Sequence, residues 1–180
     1  LEGAVFALCA KNDITGADGK VILEADTVIE ELATDKEGKL TFTADLPIGF
    51  EYYIKETSPA PGFAKTDETQ EFTFEYEGAE KEKVSYFTFE DEPTVIEITK
   101  TSLTDGKELE GAKLQVTDES GKVVDSWTSG KEAHIIKELV VGQKYTLTET
   151  KPADGFVTAE SITFTVKDNA EAQKIEMKDD

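Results

Sequence analysis

The sequence predicts an all-β protein made of two tandem antiparallel β-sandwiches, and three observations carry that prediction. Hydrophobic residues recur with a period of two along most of the chain, as in EFTFEY at 71–76 and SITFTV at 161–166, the pattern of strands with one buried face. Polar turn clusters, ADGK, DKEG, TDGK and ESGK, each with a glycine, punctuate the apolar runs. The chain also repeats itself, since YYIKETSPAPGF at 52–63 returns as YTLTETKPADGF at 145–156.

The repeat sets the domain organisation. Leu46, Gly49, Tyr52, Glu56, Thr57, Pro59, Gly62 and Phe63 recur at one constant offset as Leu139, Gly142, Tyr145, Glu149, Thr150, Pro152, Gly155 and Phe156. A second pair, LEGAVFAL at 1–8 and LEGAKLQV at 109–116, recurs at a wider offset. The first copy therefore carries roughly fifteen extra residues between its landmarks, as a surface insertion does. Two domains of about ninety residues each follow, 1–93 and 94–180, each large enough for one modest core. EDEPT at 90–94 is the expected joint, because its proline favours a short extended connection.

Taken in order, the chain starts with the apolar run AVFAL, which makes Cys9 a small packed residue rather than a nucleophile, with no histidine nearby in sequence. NDITGADGK at 12–20 reads as a polar turn; a calcium loop would need acidic spacing and a terminal glutamate that it lacks. Residues 25–33 are the weak helical candidate of the chain, although Thr27, Val28 and Ile29 fit an extended run at least as well. Tyr52, Ile54 and Glu56 share one strand phase, and so do Phe87, Phe89 and Asp91. In the second domain three further sets share a phase: Ile96, Ile98 and Lys100; Tyr145, Leu147 and Glu149; Ile175, Met177 and Asp179.

Composition excludes several functions. Thirty-nine acidic against nineteen basic residues give a net charge of -20, which repels nucleic-acid phosphates and anionic lipid, so no nucleic-acid partner is expected. No apolar run reaches the length of a membrane span and the chain opens directly on LEGAVFAL, so no membrane insertion is expected in this stretch, which reads as an excerpt. A single cysteine makes no intrachain disulfide.

Strand phase turns Lys100, Glu149 and Asp179 toward the core of the second domain. Burying three ionisable groups separately is very costly; burying them together is tolerable. Desolvation favours neutral amines and neutral carboxylic acids, and neighbouring carboxyls tend to share a proton. A neutral amine against a protonated acid is a nucleophile facing an electrophile, held at high effective concentration. Attack of Lys100 on the Asp179 side chain, with Glu149 shuttling protons, yields a side-chain amide and water. The alternative is a satisfied buried ion pair.

EITKTSLTDGKELEGAKLQV, the two YxxxE stretches with their trailing PxxGF, and the terminal IEMKDD resemble the Cna protein B-type (SpaA-like) domains of Gram-positive pilins and surface adhesins. The resemblance covers the whole chain and is strongest in the second domain. It implies an Ig-like, prealbumin-like sandwich and a spontaneous intramolecular isopeptide bond between Lys100 and Asp179, with Glu149 catalytic. In the first domain Glu56 and Asp91 match the carboxyls of that pattern, but the lysine position falls ahead of Leu1. Lys83 is expected on the strand of Asp91 and Lys55 on the face opposite Glu56, so neither substitutes. The first domain is thus expected to lack its first strand and its bond, leaving Asp91 an unpaired acceptor, Glu56 unused and an edge open to strand addition.

The implied function is a structural stalk module, extracellular and cell-wall-anchored, whose partners are neighbouring domains of the same surface protein. A ligand-binding adhesin domain using the segment 9–45 is the alternative, and a turnover enzyme built on Glu56 and Asp91 is a third. No cofactor or metal is expected: His134 has no histidine or cysteine partner and suits a surface or strand position. Trp127 reads as a packing residue, and Asp180 has the opposite strand phase from Asp179.

Overall fold

The computed structural model describes residues 1–75 and 84–179, and every regular element among them is a strand. In chain order these are β1 (Val5–Ala10), β2 (Ile14–Thr15), β3 (Val21–Leu23), β4 (Val28–Ala33), β5 (Glu51–Ser58), β6 (Thr69–Thr73) and β7 (Val95–Ser102), then β8 (Lys113–Asp118), β9 (Val123–Thr128), β10 (His134–Lys137), β11 (Lys144–Lys151), β12 (Ile162–Thr165) and β13 (Gln173–Asp179). They form two compact units, Leu1–Ala60 with Lys65–Asp91, and Pro61–Ala64 with Glu92–Asp180.

The second unit is a sandwich of a three-stranded sheet, β10-β7-β13, and a four-stranded sheet, β12-β11-β8-β9. Period-two patterning puts Ile96, Ile98 and Met177 of one sheet against Leu114, Val116, Tyr145, Leu147 and Phe164 of the other, all buried in one cluster. Each large apolar side chain buried there contributes about 1.5–3 kcal/mol. All ladders of this unit are antiparallel except β7 with β13, which run parallel with Met177 beside Lys100 and Asp179 beside Ser102. Adjacency of the first and last strands allows a residue near the start of the unit to meet one near its end.

The turn Pro61–Ala64, between β5 and β6 in sequence, belongs to the second unit. There Phe63 bridges Pro93, Thr94 N donates to Gly62 O at 3.0 Å, and Ala64 N donates to Glu92 O at 2.9 Å.

The first unit holds one four-stranded sheet, β4-β1-β5-β6, and the small β2-β3 hairpin. That hairpin falls in the extra segment of the first repeat, with Ile22 at its surface, 70% exposed. The weakly helical stretch 25–33 forms strand β4, because Val28–Ala33 pairs along β1. β1 is buried on both faces, Phe6 and Leu8 on one and the small Ala7 and Cys9 on the other.

The run that carries Phe87, Phe89 and Asp91 keeps its alternation, every second residue half-buried, yet residues 84–91 pair in no ladder. The same holds for residues 40–46, where Leu40, Phe42, Ala44 and Leu46 alternate inward without being strand. By the internal repeat these two segments stand where β13 and β10 stand in the second unit. Among the described residues no strand lies between them as β7 does, so neither has a neighbour to complete a ladder.

Candidate functional site

Three strands of the second unit bring the site together. β7 carries Lys100 inward after Ile96 and Ile98, β11 carries Glu149 after Tyr145 and Leu147, and β13 carries Asp179 after Met177. Lys100, Glu149 and Asp179 are 2%, 3% and 1% exposed, so water is excluded from all three. Lys100 Nζ meets Asp179 Oδ1 directly and lies 3.2 Å from Glu149 Oε1. Asp179 Oδ2 is buried with no hydrogen-bond partner among the described residues. Glu149 is held from behind, its Oε2 accepting from Ala159 N at 2.8 Å.

The backbone around the pair is also fixed. Leu109 N donates to Lys100 O at 2.7 Å, Leu103 N donates to Asp179 O at 2.8 Å, and Lys100 N donates to Glu108 Oε2 at 3.2 Å. Glu108 is a residue that strand phase does not single out. Its signal is local: after Lys100 the alternation stops, and Thr101 and Ser102 are both buried where the chain turns back. Such an arrangement places an amine nitrogen against a carboxyl oxygen in a dry site with a second carboxyl beside the amine, which brings together a nucleophile, an acyl group and an acid–base group.

The first unit repeats two parts of this site. Glu56 is 3% exposed, and its Oε2 accepts from Thr66 N at 2.7 Å, as Glu149 accepts from Ala159. Asp91 is half-buried, and its Oδ1 is sealed from solvent with no hydrogen-bond partner among the described residues. Burial pushes its carboxyl above the usual carboxylate range, with the Leu1 α-ammonium pulling the other way. Phe89, two residues before Asp91, packs on Phe6 at 4.9 Å between ring centroids, and Phe6 is the cross-strand partner of Glu56. Lys55 lies on the other face of β5, its Nζ 5.8 Å from the Tyr53 ring centroid. Lys83 and Asp180 lie outside the described residues.

The remaining candidates are structural in their surroundings. Cys9 is fully buried, and that burial pushes its thiol up despite a hydrogen bond with Tyr53. His134 sits half-buried on β10, stacked on Trp127 at 4.0 Å, with Nε2 2.8 Å from Asp125 Oδ2. Trp127 packs against the core from β9. Residues 12–20 form the approach and turn of the β2-β3 hairpin, where Lys20 N donates to Asp18 Oδ1.

A sandwich with a buried Lys–Glu–Asp set, preceded by a second β-unit with matching carboxyls, defines a tandem of prealbumin-like β-domains. The sequence matches the SpaA prealbumin-like fold domain twice, over residues 1–87 and 94–180, and the chain belongs to that family. Among solved structures, it is similar to the Bacillus anthracis TIE protein at 28% identity and a TM-score of 0.56, over 99% of this chain and 31% of that one. It thus spans less than a third of the length of the TIE chain. Shaft pilin SpaA from Lactobacillus rhamnosus GG matches at 16% identity and a TM-score of 0.42, over 99% of this chain and 87% of that one. A pilus-presented adhesin, Cpa, is 34% identical over 42% of this chain and 18% of its own, with a TM-score of 0.37. Comparison with curated proteins finds no match.

Proposed function

We propose that this chain is a load-bearing stalk segment of a Gram-positive pilin or cell-wall-anchored surface protein, divided into domains 1–93 and 94–180, the second locked by an amide between Lys100 and Asp179. The observation that carries this reading is the buried contact of Lys100 Nζ with Asp179 Oδ1, with Glu149 beside the amine. The neutral amine attacks Asp179 Cγ, forming the C–N bond. Glu149 takes a proton from nitrogen and delivers one to the departing oxygen, which leaves as water, so the product is an amide and one water. The reaction runs once on the protein itself, with no turnover and no cofactor. Family membership supports the structural role, and the pilin and adhesin relatives support placement outside the cell.

The test is intact mass under denaturing, reducing conditions, beside Glu149→Ala. The expected result is a parent one water lighter than its sequence and a variant at full mass. A parent at full mass reduces the three residues to a buried ion pair. One observation favours an adhesin role instead: the β2-β3 hairpin exposes Val21 and Ile22 in the segment added to the first repeat. Capture of collagen or a glycan by the chain, lost in Ile22→Ser, decides for that role.

A further inference from the structure

We infer that Glu108 is a positioning residue for amide formation: by accepting the N–H of Lys100 beyond the end of β10, its carboxylate holds the stretch of β7 that aims the amine at Asp179. The inference rests on the amide proposed for the second unit and adds to it a determinant of its rate.

The N–H and C=O groups of a strand point to alternate sides, so residues of one phase share one lateral neighbour. Along β7, Ile96 and Ile98 pair with Ile136 and His134 of β10, and that ladder stops at Ile98. Lys100 has the same phase two positions further on, past the first residue of β10. On the other side of β7 the β13 ladder continues to Ser102. Lys100 thus lies where β7 has a strand along one edge and has run out of strand along the other.

The returning chain fills that place. Gly106 N donates to Ser102 O and Ser102 N donates to Lys107 O, both at 2.9 Å, and the turn brings Glu108 opposite Thr101. Glu108 Oε2 then accepts from Lys100 N at 3.2 Å, and Leu109 N donates to Lys100 O at 2.7 Å. Both main-chain groups of the lysine are satisfied, the N–H by a side chain whose charge strengthens the bond. That oxygen sits on the main chain, whereas Nζ has Asp179 and Glu149 as its carboxyl neighbours. Glu108 therefore acts through the Lys100 backbone and carries no proton in the reaction. A lysine side chain is long and flexible, so its aim depends on how firmly its own backbone is held. In an intramolecular step a displacement of about 1 Å can cost on the order of a hundredfold in rate.

The test times the reaction in the full 180-residue chain. Cell-free translation is quenched in denaturant at set intervals, and intact mass gives the fraction one water lighter than its sequence. Glu108→Met keeps the length but removes the acceptor, Glu108→Asp keeps the charge but shortens the reach, and Glu108→Gln keeps an acceptor at the same reach. The Met and Asp variants should lose water at least about tenfold more slowly than the parent, and the Gln variant at the parental rate. All should reach the parental end point with the parental pH profile, since Glu149 and not Glu108 moves the protons. Circular dichroism of the same substitutions in Glu149→Ala, where no amide forms, reads whether the sandwich is folded at the assay temperature. Among folded chains the rate reports geometry rather than stability. A parental rate in Glu108→Met, a Gln variant as slow as the Met variant, or slowing confined to chains that have lost their fold overturns the inference. A parent that stays at full mass removes the amide itself and this inference with it, and is recognised because no variant then differs from it.

Discussion

Lys100 and Asp179, separated by 79 positions in sequence, meet side chain to side chain because the strands that carry them are parallel neighbours. Topology, not local sequence, creates the encounter. Parallel pairing of β7 with β13 closes the sandwich on its first and last strands, and the phase of each strand directs the two groups into a site that water does not reach. Glu149 arrives from the opposite sheet, so the site spans both layers and forms only when they pack.

Removing Glu149, the proposed acid–base partner, should cost the proposed cross-link without removing the Lys100–Asp179 pair. Glu149→Gln keeps an acceptor for Ala159 N but leaves the amide unformed. Closing a loop of this size is worth about 4.5 kcal/mol in the chain-entropy treatment of a cross-link. Asp179→Ala also removes one of the two carboxyls against the buried Lys100 amine, leaving Glu149 as its partner, a further loss. Urea midpoints of the second unit should fall in the order parent, Glu149→Gln, Asp179→Ala. Equal midpoints for parent and Glu149→Gln would show that no cross-link is present.

Asp91 gives the first unit a pH dependence of defined sign. Burial holds its folded-state pKa above the unfolded value of about 3.9, the Leu1 α-ammonium opposing. A carboxyl raised on folding stabilises fully below the unfolded pKa and loses that contribution as pH rises through the folded one. Asp91→Asn should therefore stabilise the first unit at pH 7, with the advantage over the parent shrinking on acidification toward pH 4. Hydrogen exchange of β1 and β5 amides at both pH values reads this unit alone. An advantage that does not change with pH would exclude the buried carboxyl as its source.

Much of this was legible in the sequence because a period of two leaves little choice of face. Lys100, Glu149 and Asp179 each follow apolar residues of the same phase, and phase alone is enough to bring them inward once the strands exist. Glu108 was not legible, since its bond to Lys100 N depends on how residues 103–108 turn back over the strand end. Nor was the state of residues 84–91, whose alternation reads as strand; a ladder needs a neighbour, and alternation reports only which side faces the core. The parallel direction of β7 and β13 was likewise invisible, because antiparallel and parallel strands carry the same alternation when one face is wet.

Two repeat-related glycines should respond differently to the same substitution. Gly62 and Gly155 both have φ near the left-handed region, +90 and +91. A Cβ at Gly155 meets nothing within 4 Å, whereas at Gly62 it falls 2.8 Å from Glu138 O, and Glu138 itself sits at φ 64. Gly155→Ala should cost about 1 kcal/mol from backbone strain, and Gly62→Ala more than that, because a backbone oxygen must move as well. Urea denaturation of the two single variants decides the matter; equal losses would mean that the turn at 61–64 yields without resistance.

Force should distinguish the locked unit from an unlocked one most directly. With the proposed amide in place, tension entering β7 at Val95 would run along the strand to Lys100, cross to Asp179 and leave at the end of β13, so that the residues between the two partners would carry none of it. In Glu149→Ala the path has no such shortcut, and the sandwich must bear the load through its ladders. Pulling single molecules from both ends should then show a second-unit unfolding step that the parent lacks. Its length follows from the loop set free: 79 positions at ~3.6 Å each release about 280 Å of extended chain. A parent that shows the same step would place the load on the fold itself and remove the mechanical role of the Lys100–Asp179 pair.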